Sequence, residues 1–576
     1  MTGEAPVEVW APRAATVDLV TEDGARHALS STAGGWWCSG PLLPGTRYRL
    51  SVDGGDPRPD PRSPWQPEGL DGPSATVDHG AFAWTDGRWH GPRPLASSVF
   101  YELHVGTFDP AGTFDGVIAH LDHLRSLGVT HVELMPVNEF PGTRGWGYDG
   151  VLLYAPHHAY GGPEGLKRLV DAAHAVGLAI VLDVVYNHLG PSGNHLASFG
   201  PYFTDRYATP WGDAVNLDGE GSDVVRRFFI DNALMWLRDY HVDALRLDAV
   251  HALLDASATH LLEQLGAEVS ALSGHVGREF QLIAESDLND PRIVARREVG
   301  GYGMDAQWSD DFHHALHAVV TGETDGYYAD FGSLHHLATA LTRAWVYAGE
   351  YSPHRGRVHG RLPSGIPGWR FLGYLQDHDQ IGNRATGDRV AASVSTGRLL
   401  AGAAIVACAP FTPMLYMGEE WGTTSPFPYF VDHTDPDLAD AVRQGRRREF
   451  EAFGWDPMSI PDPQDPETHR LAVLDWHEQH REPHATVLAW HRALLELRRQ
   501  MPELTDGRLD LADVVTDGAC WLVLRRGAVS VGINVGAEPK ALPISEGRVV
   551  LSYPPEATPE RLVPDGVVIV VGTPDR

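Results

Sequence analysis

Between Val99 and Met417 the sequence alternates short apolar runs with amphipathic stretches, and this alternation restricts the chain to a parallel α/β architecture. Eight runs read as strands, near Val99–Val105, His131–Pro136, Ala179–Val185, Val242–Val250, Gln281–Ser286, Met304–Trp308, Phe371–Gln376 and Met414–Met417. Helix-period segments lie between them, for example Gly116–Leu127, Glu164–Val176, Asp223–Arg238 and Ala392–Ala407. Eight strand–helix units fit a (β/α)8 barrel. A doubly wound open sheet is the alternative, but no GxGxxG phosphate loop follows an early strand.

At 576 residues the chain exceeds one ordinary core, and the flanks read as separate domains. From Val7 to about Val77, alternating runs such as Val7-Glu8-Val9-Trp10 are divided by turn residues, which predicts a β-sandwich over residues 1–90. Trp36 and Trp37 within it serve either core packing or sugar stacking. The barrel is expected over residues 91–504, with an irregular insertion at 189–221 and a closing helix at Ala485–Arg499. Strand-like runs return after Asp506 and predict a small all-β domain over residues 505–576.

The net charge of −31 argues against a nucleic-acid partner, which needs a basic face. No apolar run is long enough to span a bilayer, so no membrane partner is expected. The segment Met1–Pro6 lacks the basic and apolar regions of a signal peptide, and a cytoplasmic location is the expectation. Cys38, Cys408 and Cys520 are too dispersed for a disulfide framework or a metal cluster, and no cofactor or metal is expected.

Polar clusters stand where the strands end. The third strand closes on Asp183-Val184-Val185-Tyr186-Asn187-His188, and the fourth on Arg246-Leu247-Asp248-Ala249-Val250-His251. The fifth closes on Glu285-Ser286-Asp287 and the seventh on Gln376-Asp377-His378-Asp379-Gln380. Barrels of this kind carry their active sites at these ends. Burying so many carboxylates is costly unless they are paired or functional. Taken alone, Arg246 beside Asp248 serves equally well as a structural ion pair. Several carboxylates in one pocket, without a phosphate loop, suggest glycoside chemistry. A metal reading of the His and Asp residues stays open, although the histidines lack compact ligand spacing. A retaining glycosidase needs an ionised carboxylate and a protonated one roughly 5 Å apart. Arg246 supplies the charge partner for the first, and Ile283-Ala284 an apolar wall for Glu285.

The four clusters, in their order and spacing, resemble the motif regions of the α-amylase family of glycoside hydrolases (family 13). The resemblance covers about Val99 to Trp421. It implies Asp248 as nucleophile, Glu285 as general acid and base, and Asp379 as the carboxylate that holds the distorted sugar. It implies sugar contacts from Arg246, His188 and His378, and a stacking role for Tyr148 in Gly145-Trp146-Gly147-Tyr148-Asp149. His251 and Trp308 stand beside these motifs as further candidate contacts. The N-terminal domain resembles the early-set module of branching, debranching and trehalose-releasing members. The stretches Asp305–His317, His378–Arg384, Pro413–Trp421 and Trp211–Asn216 are similar to the trehalose-releasing members, and Gln380 departs from the His-Asp-Glu pattern typical of branching enzymes. This implies hydrolysis of the α-1,4 bond beside a terminal trehalose, in metabolic company with a trehalose-forming synthase. Trp211, Asp310, Asp311, His314, Gln380, Asn383 and Arg384 are the candidates for recognising trehalose, or for supporting the residues that do. A glucan branching enzyme is the alternative, and a non-catalytic glycogen-binding protein the remote one.

Overall fold

The computed structural model describes residues 4–451 and 460–572. Eight parallel strands close into a barrel: β1 (Phe100–Leu103), β2 (His131–Leu134), β3 (Ala179–Val184), β4 (Ala244–Leu247), β5 (Gln281–Ala284), β6 (Ala306–Trp308), β7 (Phe371–Gly373) and β8 (Thr412–Tyr416). They follow one another around the ring in chain order, and β8 pairs with β1. Every residue of β3, β4 and β5 is buried. Helices cover the outside while side chains fill the inside, so these strands read as near-continuous apolar runs.

One interior layer fixes the direction of the site. Val181 of β3, Ala244 of β4 and Ile283 of β5 pack together inside the barrel with Phe100, Leu372 and Met414. Side chains alternate along a strand, so the residues two places further on point the same way, toward the mouth. Those residues are Asp183, Arg246 and Glu285. The register sets Asp183 opposite Arg246 and Arg246 opposite Ile283.

The surrounding helices include Gly162–Val176, Ser222–Asp239, Thr396–Cys408 and His484–Gln500. Gly162–Val176 buries Leu166, Leu169, Val170 and Ala173 on one stripe, and it stops at Gly177, whose φ of 83° suits only a residue without a Cβ. The expected helix at Gly116–Leu127 is divided into Phe114–Ile118 and Leu121–Leu127. The insertion expected to be irregular holds an antiparallel hairpin, Phe203–Thr209 with Gly212–Val215. The Pro- and Asp-rich excursion after β8 holds the helices Pro436–Glu451 and Pro466–Ala472.

Before the barrel lie a three-stranded sheet and a four-stranded sheet, built from strands between Ala5 and Ala75. Trp37 is buried there, and its Nε1 donates to Ala11 O, so it serves packing. Arg62 ties these sheets to the barrel through Asp231 at 2.9 Å and through the faces of Trp36, Tyr154 and Phe228. A five-stranded antiparallel sheet between Ala512 and Gly572 follows the last barrel helix. Among the described residues no helix is long and apolar enough to cross a membrane.

Candidate active site

A cleft of about 1070 Å³ opens at the carboxyl ends of the strands. Its floor carries Arg246, Asp248 and Glu285. Arg246 Nη1 donates to Asp248 Oδ1 at 2.7 Å and to Asp183 Oδ2 at 2.9 Å, while Nη2 lies 3.8 Å from Glu285 Oε2. The guanidinium rests over the Trp308 ring, 4.4 Å from its centre. Asn187 Nδ2 donates to the other Asp248 oxygen at 2.7 Å. Burial pushes the Asp248 carboxyl up, but the Arg246 charge and the hydrogen bonds from Asn187 and Arg246 outweigh it and hold the group below its usual range. Glu285 goes the other way. Burial drives it well above the usual range, and the negative charges of Asp248 and Asp310 reinforce the shift against the pull of Arg246. Two carboxyls beside one arginine are thus pushed apart, one toward the anion and one toward the acid.

The turn that follows Asp248 is strained. Ala249 has φ 39° and ψ 51°, a left-handed conformation that costs a residue with a Cβ on the order of 1 kcal/mol. Its N–H donates to Glu285 Oε2 at 2.6 Å, so the strain aims a donor at that carboxyl.

Asp379 stands in the first turn of the short helix His378–Gly382 and is exposed to the cleft, with Asn383 Nδ2 donating to its Oδ1 at 2.6 Å. Beside it, burial lowers His378, but the Glu102 carboxylate accepts from both its ring and its backbone N–H and raises it to about 9. The imidazolium stacks against Tyr148 at 5.0 Å. Tyr148 in turn donates its hydroxyl to Asp183. His188 also lines the cleft, its Nε2 3.1 Å from Tyr148 O, and stacks on Trp211 at 4.5 Å and 3°. Trp211 sits at the tip of the insertion hairpin and is 48% exposed, an apolar ring presented at the cleft rim.

His251, Trp308, Asp310, Gln380 and Asn383 also line the cleft. Asp310 accepts from Tyr374 OH at 2.6 Å, and burial lifts its carboxyl to about 6. Asp311, His314 and Arg384 do not line it, which favours the second of the two roles the sequence offered them, support of the residues that do. Asp311 follows Asp310 in the helix Asp310–Thr321 and is therefore rotated away from it. It is buried and accepts from Asn289 Nδ2, Val346 N and Tyr347 N. His314 Nδ1 donates to Asp310 O at 2.6 Å, and the ring is enclosed by Tyr327, Tyr328 and Phe331. Arg384 is forked onto Glu323 at 2.7 and 2.8 Å behind the wall.

Other wall residues have no role assigned from the sequence: Trp146 and Asp149, which flank Tyr148 in its motif, and then Tyr429, Leu438, Val442 and Arg446 from the excursion after β8. Those of the excursion belong to no strand-end motif, and only its Pro- and Asp-rich composition marks the segment. Glu102 carried a usable signal, as a lone carboxylate in an apolar strand. Glu139, His157 and His158 approach one another closely enough to hold an ion. However, His157 Nδ1 accepts from Ala159 N, which makes Nε2 the protonated nitrogen, and Glu139 already pairs with His158 at 2.7 Å. A hydrogen-bonded ion pair explains that cluster.

The model of the alpha amylase catalytic domain matches residues 81–199. A malto-oligosyltrehalose trehalohydrolase of Arthrobacter ramosus is 53% identical over 95% of this chain and 95% of its own length. A 1,4-alpha-glucan branching enzyme of Corynebacterium jeikeium is 27% identical over 73% of this chain and 61% of its own length. A crystal structure of a candidate alpha amylase from Salmonella typhimurium superposes with a TM-score of 0.92 at 38% identity, covering 99% of this chain and 97% of that one.

Proposed function

The chain belongs to the malto-oligosyltrehalose trehalohydrolases of the α-amylase family, and from that premise we propose that it cleaves the α-1,4-glucosidic bond next to the terminal trehalose of a malto-oligosyltrehalose with retention, releasing trehalose and a malto-oligosaccharide. The observation that carries this reading is the opposite displacement of Asp248 and Glu285 beside Arg246. Asp248 attacks the anomeric carbon while Glu285 gives its proton to the leaving oxygen. Trehalose departs. Glu285, now a carboxylate, takes a proton from water, which attacks the same carbon and frees Asp248. Two inversions leave the new reducing end in its original configuration.

Asp379 accepts the hydroxyls of the distorted sugar, and Tyr148 lies under its ring, where an oxocarbenium-like centre meets the aromatic face. Arg246, His188 and His378 complete that subsite, with Trp308 beneath Arg246. On the leaving side, Trp211 offers a stacking platform, and His251, Asp310 and Gln380 the polar contacts, with Asn383, Asp311, His314 and Arg384 supporting them. We place the reaction in trehalose formation from glucans, downstream of an enzyme that converts a glucan reducing end into a trehalosyl unit. The cytoplasm suits the three unpaired cysteines.

Proton NMR of the early products tests the mechanism. The α anomer of the malto-oligosaccharide is expected to appear first and to mutarotate afterwards, whereas a β anomer appearing first contradicts it. Amylose incubated with the enzyme is expected to keep its iodine colour. A strong shift would point to branching.

A further inference from the structure

The helix Pro436–Glu451 forms one wall of the cleft, and Leu438, Val442 and Arg446 face the cavity from it. Nothing in the proposed reaction uses this helix. Arg446 nevertheless reaches across to the turn after β7. Its Nη2 donates to Gly382 O at 2.6 Å, and its Nη1 to Asn383 Oδ1 at 3.0 Å. The guanidinium also lies over the ring of Tyr429, 5.0 Å from its centre.

An amide side chain has one accepting end and one donating end, and a guanidinium only donates. Arg446 therefore fixes which way the Asn383 amide faces. With Oδ1 taken, Nδ2 is directed to Asp379 Oδ1 at 2.6 Å. The need for such a hold is specific to Asp379. Asp248 is gripped by Arg246 and Asn187, and Glu285 receives the Ala249 N–H. Asp379 is the most exposed of the three carboxylates and has the most rotamer freedom to lose. A carboxylate that meets sugar hydroxyls in the transition state acts best when it is already oriented.

We propose that Arg446 is a positioning residue for Asp379, acting through the Asn383 amide, and that the helix after β8 thereby sets the carboxylate that grips the distorted sugar. The proposal rests on the role given to Asp379 above.

Arg446→Ala, Asn383→Ala and the double variant test it on malto-oligosyltrehalose. Each single variant is expected to lower kcat about 10- to 100-fold while KM stays within about threefold. The double variant is expected to fall no further, because both substitutions break one relay. Arg446→Lys keeps the charge but not the fork that reaches two acceptors, and is expected to recover less than half of the loss. Guanidinium chloride at about 20 mM is expected to raise kcat of Arg446→Ala, and sodium chloride at equal strength is not. Losses that multiply in the double variant, or an Arg446→Ala enzyme with the original kcat, overturn the proposal. If Arg446→Ala fails to fold, Asn383→Ala against Arg446→Lys carries the same comparison. Asp379→Asn separates the two layers. Full activity there removes the role of Asp379 itself, whereas a large loss there combined with multiplying losses elsewhere overturns the relay alone.

Discussion

Strand β4 carries an aspartate at each end, and the two lead opposite lives. Asp243, just before the strand, is buried at the closed end of the barrel. It accepts from Trp89 Nε1 at 2.6 Å, Ile180 N at 2.9 Å and His174 Nε2 at 2.9 Å. His174 is held in turn by Asp86, which also takes His241, and its ring stacks on Trp89 at 4.5 Å. Asp248, just after the strand, also has partners, but one side of it faces a cleft of about 1070 Å³. Same residue type and same strand give a fastener where both carboxylate oxygens are answered and a reagent where one face is left open.

The largest effects test the open end. Asp248→Asn and Glu285→Gln are expected to lower kcat by more than about a thousandfold, with thermal unfolding moved by only a few degrees. Residual activity above about one percent would remove the assigned roles. At the closed end the pattern reverses. Asp243→Ala leaves His174, Trp89 and Ile180 with buried, unanswered donors and is expected to cost about 3–5 kcal/mol in denaturant unfolding. The kcat of the folded fraction is expected to stay within about twofold. A large kcat loss in folded protein would erase the distinction between the two ends.

The two ends also answer pH differently. Burial alone lifts Asp86, but the hydrogen bonds from His174 and His241 outweigh it and hold Asp86 at about 2. Its stabilisation is complete above the unfolded carboxylate value near 4 and fades as pH falls toward 2. Burial lowers His174, but Asp243 and Asp86 outweigh it and raise the group, so its contribution is complete below about 6.5 and fades as pH rises through the raised value. Melting temperature is therefore expected to be highest between about pH 4 and 6.5, with Asp86→Asn flattening both limbs by a few degrees. Activity follows other groups. It requires ionised Asp248, displaced downward, and protonated Glu285, displaced well upward, so kcat/KM is expected to stay high on the alkaline side where stability already declines. The smallest expected effect is that of Asp310→Asn. Removing a negative neighbour of Glu285 moves the alkaline limb of kcat/KM to lower pH. An unmoved limb would detach Asp310 from the acid.

Much of this contrast is legible in the sequence, for a physical reason. Barrel strands are buried on both faces, so Ala179–Val184 and Ala244–Leu247 stand out as mainly apolar runs, and a charge within or directly after such a run is unusual enough to notice. Asp183, Arg246, Asp248 and Glu285 all announce themselves this way. Helical positions do not. Asp310 and Asp311 are indistinguishable in the sequence, yet the rotation of about 100° between neighbouring helical residues sends the first to the cleft and the second to Asn289 and the loop at Val346. The insertion at 189–221 hid its hairpin because its strands are polar and half-exposed. Arg446 lies 63 residues beyond the Asn383 it contacts, and no local pattern encodes such a pairing. The closed-end cluster was equally silent, because Asp86, His174 and Asp243 come from three separate segments.

Incubation of the enzyme with maltotriosyltrehalose and, in parallel, with maltotetraose bears most directly on the central claim that this cleft releases trehalose from a glucan end. The account predicts rapid release of free trehalose and maltotriose from the first and little action on the second. Comparable hydrolysis of both, or no trehalose from the first, would contradict it.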